Sequence, residues 1–266
     1  MRFEGLIRKM DTEWTAPVNY YQRFADDFLY MNALIGSDLR FDFIKTSCLN
    51  CGAARPLFAR GFCRSCFFSS PRAAESILRP ELSRAHLGEA VRDLEWEKRF
   101  ELQPHVVYLA FTGDVKVGVT RKAQLPLRWM DQGALQAMVI TETPNRYLAG
   151  LTEVALKKKL KDKTHWRTML QTRVVGADLA RVKEEVRPLL PAETRDCWVA
   201  QSELCDFSYP SAAAPQQIRR THKFDKEPAF QGRLSGIKGQ YLLFEDGTAL
   251  NVRAHEGYHL ALQFRG

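Results

Sequence analysis

Two groups of residues in this chain are spaced for chemistry. The first is a pair of Cys-x-x-Cys turns, Cys48-Leu49-Asn50-Cys51 and Cys63-Arg64-Ser65-Cys66, with eleven residues between them. Each turn can present two thiolates to one ion, and four thiolates close a tetrahedral zinc site that has no open position for catalysis. Gly52 and Gly61 suit the tight turns beside such knuckles. A redox pair or an iron–sulfur cluster would draw on the same ligands. The phenylalanines around the cysteines (Phe58, Phe62, Phe67 and Phe68) read as a miniature core. Arg55, Arg60 and Arg64 accompany them and could also meet nucleic acid. The second group centres on Glu153. On a helix it shares a face with Leu156 and Leu160, at offsets of three and seven, so its carboxylate points inward. There it is either a metal ligand or the partner of an arginine such as Arg128.

The charge balance suggests what such groups would act on. The chain carries a net +8 over 266 residues, with a sequence pI near 9.2. A basic balance favours encounters with polyanions. Between Val154 and Arg173 seven cations face a single anion, Asp162, and His165, Trp166 and Met169 interleave with them. Lys157, Lys158, Lys161 and Arg167 are the phosphate contacts expected from this run, joined by Arg121 and Lys122 further upstream. A solvated helix face would have a similar composition, although it usually carries more glutamates.

The elements that must position these residues lie between His105 and Leu160. Val106 to Phe111 reads as a strand, Thr112-Gly113-Asp114 as a turn, and Val115 to Thr120 as a second strand, which together predict a β-hairpin. A helix opens at Leu127-Arg128-Trp129. Pro144-Asn145-Arg146 marks a turn, and Ala149 to Leu160 reads as a further helix. A tyrosine on the first strand, the Lys116-Val117-Gly118 block on the next, an arginine on the following helix and a glutamate on a later one resemble the GIY-YIG nuclease fold. Val107-Tyr108-Leu109 stands for the GIY block, and Lys116 replaces the tyrosine of the YIG block. The resemblance implies that Tyr108 is the general base, that Arg128 and Lys116 hold the scissile phosphate, and that Glu153 holds Mg²⁺ or Mn²⁺. The Cys-x-x-Cys pairs, Gly61-Phe62-Cys63, the Lys116 to Thr120 block and Gly236-Ile237-Lys238-Gly239-Gln240-Tyr241 also resemble an uncharacterised bacterial family classed only as a domain of unknown function.

The rest of the chain frames this core. Leu39, Phe41 and Phe43 alternate with polar residues, as do Leu260, Leu262 and Phe264, each run following a glycine, Gly36 or Gly257. The two runs suggest a weak internal duplication whose halves pair into one β-rich module. Glu81 to Leu102 reads as a helix, with His86 as a core histidine and Glu97 as a surface glutamate. Ala177 to Leu190 reads as an amphipathic helix burying Leu179, Val182, Val186 and Leu189. The expected fold class is α+β: an N-terminal β segment (1–45), a zinc ribbon (46–70), a helical connector (71–104), a GIY-YIG-like core (105–190), a strand and connector (191–228), and a C-terminal β segment (229–266) that pairs with the first. No run approaches the ~20 apolar residues of a membrane span. Arg2, Glu4, Arg8, Lys9, Asp11 and Glu13 interrupt the N-terminus, so a cytoplasmic protein with no membrane partner is expected. No Walker, dinucleotide or nucleophile-elbow motif is present. The function expected is nucleic-acid binding with a structural zinc, extending to metal-dependent phosphodiester cleavage. The alternatives are a non-catalytic binder on a degenerate nuclease fold and a protein-interaction scaffold.

Overall fold

The computed structural model describes residues 1–24, 27–212 and 217–264, and the fold is α+β. It divides into two compact units. The first comprises Met1–Phe68, Met130–Gly133 and Phe207–Gly266; the second comprises Ser69–Trp129 and Ala134–Asp206.

The first unit is built on a seven-stranded sheet in the order Arg2–Leu6, Tyr258–Phe264, Asp38–Thr46, Ala229–Lys238, Tyr241–Phe244, Thr248–Asn251 and Arg220–Thr221. The first strand pairs antiparallel with the last, and the amino terminus of Met1 donates to Phe264 O at 2.8 Å. Leu39, Phe41 and Phe43 lie opposite Phe264, Leu262 and Leu260. The two runs therefore pair in opposite order about Phe41 and Leu262, as antiparallel strands do. Gly36 and Gly257, which open these strands, both have positive φ, +89° and +93°, a conformation glycine adopts without steric cost. A three-stranded sheet (Asp11–Glu13, Asn19–Phe24, Asp27–Tyr30) completes this unit. Tyr20, Phe24, Leu39, Leu262 and Phe244 are wholly buried in its core. The returning segment Met130–Gly133 is held here too: Asp131 takes Lys9 Nζ at 2.6 Å and Gln240 Nε2 at 2.9 Å.

The second unit holds a four-stranded antiparallel sheet in the order Val115–Arg121, His105–Phe111, Gln136–Thr143 and Cys205–Asp206. Every residue of His105–Phe111 is buried. That explains why this strand is almost continuously apolar instead of alternating, since a strand covered on both faces has no solvent side. The helix Arg146–Leu156 starts at Asn145, whose side chain accepts Leu148 N–H at 3.0 Å, an ordinary N-cap for asparagine. A Cβ added at Gly150 would lie 2.2 Å from Glu81 N, so the Pro80–Glu81 backbone rests directly on this helix.

Two expected helices and one expected surface residue change. Glu81 to Leu102 is not one helix: 3₁₀ turns at Pro80–Leu82 and Ala85–Leu87 precede an α-helix confined to Leu94–Glu101. Gly88 at φ +74° closes the last 3₁₀ turn, and Asp93 caps the new helix by accepting Trp96 N–H, so the local capping signals prevail over the loose periodicity. Glu97 is not a surface residue. It is wholly buried and accepts the N–H groups of Val91, Arg92 and Asp93 at 2.8, 2.7 and 3.2 Å. The expected helix Ala177 to Leu190 is α-helical only over Leu179–Val186. Leu189 is exposed, and Lys183 is buried in the opening between Val199 O and Ser202 Oγ.

Candidate functional site

Cys48 and Cys51 follow the end of the strand Asp38–Thr46, while Cys63 and Cys66 flank the start of the short helix Arg64–Ser69. All four Sγ atoms lie within 4.8 Å of one another, and those of Cys51 and Cys63 are 4.0 Å apart. A tetrahedron with zinc–sulfur bonds of ~2.3 Å has edges of about 3.8 Å, so the donor set fits that ion. Cys48 Sγ accepts from Cys63 N–H at 3.3 Å, and Asn50 Nδ2 donates to Cys66 Sγ at 3.4 Å. Burial works against a Cys48 thiolate, but the backbone N–H groups of Cys51, Cys63 and Asn50 outweigh it and bring the thiol down to about 6. At Cys66 the Asn50 side chain favours the thiolate. Burial and the neighbouring sulfurs nevertheless push that thiol up to about 12. Four clustered sulfurs ionise together only with a cation among them, so this cluster could hold a zinc ion, which would cross-link the knuckle. Gly61 at φ +75° lets the second turn approach Leu49 and Glu256 O.

The knuckle is not the miniature core expected of its phenylalanines. Phe62 is buried, but Phe58 and Phe68 are 51% and 58% exposed. A cluster closed by four cysteines has little interior left for three further aromatic side chains.

In the second unit, Tyr108 lies directly opposite Gly118 on the neighbouring strand. The Tyr108 ring leans across Gly118, where an added Cβ would sit 2.6 Å from its hydroxyl oxygen. It also meets Trp129 edge-on at 5.9 Å. The whole residue is buried. Lys116, two residues from Gly118, shares that face of the sheet. It is half-buried, and its ammonium falls to about 8, first because burial strips its water and next because Arg128 repels it; Asp162 acts the other way. Arg128 is half-exposed on the short helix Leu127–Asp131. Among the described residues neither cation forms a salt bridge.

Glu153 is buried, as its helical position implied. Burial raises its carboxyl, Lys157 at 3.2 Å opposes that, and Glu81 and Asp162 raise it further. Its arginine neighbour is Arg146, which sequence reasoning missed. Arg146 is buried and anchored on Ser76 O at 3.0 Å and Ile77 O at 2.7 Å. Burial depresses its guanidinium to about 10, against the attraction of Glu101 and Glu153 and with the help of Arg121 and Arg128. Arg128 thus repels both Lys116 and Arg146, and Glu153 attracts Arg146, while Tyr108 shares the sheet face of Lys116.

The lysine run is not one open helix face. The helix ends at Leu156, and the chain turns back so that Val117 N–H donates to Lys161 O at 2.9 Å. Lys157 pairs with Glu153 and Asp162, Lys161 with Asp114, and Lys122 with Glu142. Arg121 stacks over Phe100 and Arg167 over Trp166. Lys158 is exposed with no salt bridge among the described residues. Within the run, Lys157 meets the local acids Glu153 and Asp162, whereas Lys159 and Lys161 meet Glu185 and Asp114, which are distant in sequence, so composition within the run could not reveal those two.

Fold and site together define an α+β protein with a four-cysteine cluster that could hold zinc. The chain belongs to the family described as Protein of unknown function (DUF2797), whose model matches residues 36–260. No curated protein and no solved structure matches it. Among the described residues no helix is long and apolar enough to cross a membrane.

Proposed function

We propose that this chain is a zinc-containing nucleic-acid-binding protein that grips the phosphodiester backbone at Lys116 and Arg128. The observation that carries this reading is the pair itself. Two cations sit close enough for one to depress the other, both partly open to solvent and neither with a salt bridge among the described residues. Like charges held near each other without a salt bridge are destabilising, and a phosphate bridging them would offset that cost. The net charge of +8 steers polyanions toward such a site. The thiols of the knuckle suit a reducing, cytoplasmic setting, where cysteines bind metal more often than they form disulfides. The test is fluorescence anisotropy with labelled duplexes of unrelated sequence. The double variant Lys116→Gln/Arg128→Gln should weaken binding to all of them alike and lower the slope of log affinity on log salt by about 1.8. Wild-type affinity in that variant would remove the reading.

A second reading, metal-dependent phosphodiester cleavage, is favoured by one observation. The Glu153 carboxylate is buried within reach of the charges of Glu81 and Asp162, and a divalent cation would take the place among these acids that Lys157 fills between Glu153 and Asp162. Glu153 would hold Mg²⁺ or Mn²⁺, which would supply Lewis acidity at a phosphate oxygen. The order of elements carrying Tyr108, Lys116, Arg128 and Glu153 is the one the GIY-YIG resemblance implies. Tyr108 would serve as base with Lys116 favouring its phenolate, but its buried hydroxyl must first be uncovered, so binding remains the leading proposal. Nicking of supercoiled DNA, single strands or structured RNA by wild type and not by Glu153→Gln, with Mg²⁺ or Mn²⁺ added, would support cleavage. Equal background from the two proteins would exclude it.

A further inference from the structure

We infer that the outer face of the cysteine knuckle is a stacking platform for single-stranded nucleic acid, with Phe58 and Phe68 receiving bases and Arg60 and Arg64 receiving phosphates. The inference deepens the nucleic-acid reading by naming the strand type, and it rests on residues separate from Lys116 and Arg128.

Three observations carry it. The first is exposure without a structural need. Phe62 and the cysteines fill the knuckle, while Phe58 and Phe68 stand 51% and 58% exposed. Their rings lie 5.5 Å apart, and each contacts Phe67, at 5.1 and 5.3 Å. The result is a joined aromatic surface instead of scattered side chains.

The second is the cations. The Arg64 guanidinium lies over Phe58 at 5.9 Å and that of Arg60 over Phe67 at 5.1 Å. Arg60 holds φ +51°, the one non-glycine residue with positive φ among those described. That conformation is disfavoured for a residue with a Cβ, and it is kept at the tip of the turn that presents this arginine.

The third is charge. From Phe43 to Ala74 the sequence contains no aspartate or glutamate, while Lys45, Arg55, Arg60, Arg64 and Arg72 fall within it. An apolar protein partner would be served by the rings alone. Rings overlaid by guanidinium groups, in a segment without a carboxylate, match a ligand that alternates flat bases with negative phosphates. A second exposed aromatic group makes the contrast. Tyr21 stacks on Phe28 at 4.8 Å, but its hydroxyl donates to Glu13 and the adjacent Arg23 is paired with Asp11, so that surface presents acids to any polyanion.

The experiment uses the full, zinc-loaded chain in anisotropy titrations against labelled oligothymidylate and against a duplex. Phe58→Ala/Phe68→Ala should weaken oligothymidylate binding at least about tenfold, with zinc content and duplex binding preserved. Phe58→Trp, which keeps a stacking face, should retain single-strand affinity. Arg60→Gln/Arg64→Gln should lower the single-strand salt slope by about 1.4. The inference falls if the double alanine variant binds oligothymidylate as wild type does, or if Phe58→Trp loses as much as the alanine change. It also falls if wild type binds duplex and not oligothymidylate, an outcome that leaves the Lys116–Arg128 reading standing. Loss of duplex binding in Lys116→Gln/Arg128→Gln with single-strand binding retained would uphold the platform on its own.

Discussion

Lys116 gives the sharpest test, because its role in binding and its effect on stability have opposite signs. Burial, then repulsion from Arg128, lowers its ammonium from an ordinary 10.5 to about 8. At about 1.4 kcal/mol per pH unit, the folded state at neutral pH is penalised by roughly 3 kcal/mol for carrying this charge. Below pH 8 both folded and unfolded chains are protonated there, so the penalty is complete. Between pH 8 and 10.5 the folded chain releases the proton first and the penalty shrinks, and above 10.5 it is gone. Lys116→Met should therefore stabilise the protein at pH 7, by about 1–3 kcal/mol once some solvent access is allowed for. The gain should fade by pH 10. The same variant should bind nucleic acid more weakly, as expected where a destabilising group is kept for function. In the wild type, affinity should fall as pH rises through 8, because the site loses a cation, and Lys116→Arg should flatten that dependence. Urea melts of wild type and Lys116→Met at pH 7 and pH 10 measure the stability gap, and salt-matched anisotropy titrations measure binding. If Lys116→Met is less stable than wild type at pH 7, or the gap is the same at both pH values, the lysine is not a desolvated cation awaiting an anion.

Further outcomes are expected elsewhere. Purified protein should contain about one zinc per chain, and Cys63→Ser should lose it; elemental analysis finding neither zinc nor iron in wild type would refute the metal site. Gly118→Ala places a methyl group 2.6 Å from the Tyr108 hydroxyl. It should destabilise by about 1–3 kcal/mol, and adding Tyr108→Phe should recover part of that loss in thermal melts. A purely additive pair would mean the ring does not lie across Gly118. His105 is wholly buried, with Nδ1 on Gln103 O at 2.7 Å, and burial lowers its imidazole to about 4. Its folded pKa is below the unfolded one, so stability is lost as pH falls from 6.5 toward 4. His105→Gln should flatten that part of the stability–pH curve, and an unchanged slope would refute the assignment.

Local signals were read correctly where they are self-contained. The Cys-x-x-Cys spacing brought four sulfurs together because each turn fixes its own pair and only one long loop closes between them. The alternation of Leu39 and Phe41 marked a strand because period two leaves one face to bury, and both residues are buried. Glu153 pointed inward, as its offset from Leu156 implied. The uninterrupted apolar run of Val106 to Phe111 identified a strand of the hairpin, but not that both its faces are covered.

Tertiary structure decided the charges. The lysine run looked unbalanced because two of its anions, Asp114 and Glu185, arrive from distant segments. Nothing in the local sequence of Lys116 and Arg128 shows that folding lets one repel the other while neither gains a salt bridge among the described residues. Glu97, Arg146 and Lys183 are buried charges invisible to periodicity, each accommodated by backbone groups that only the folded chain supplies. Phe58 and Phe68 reversed their expected place because a four-cysteine knuckle has too small an interior to hold them. Residue type and spacing settle what a short segment can do by itself. Which charges meet, and which rings stay in water, depends on contacts between distant segments, because the energies of pairing and burial belong to the assembled surface and not to neighbours in the chain.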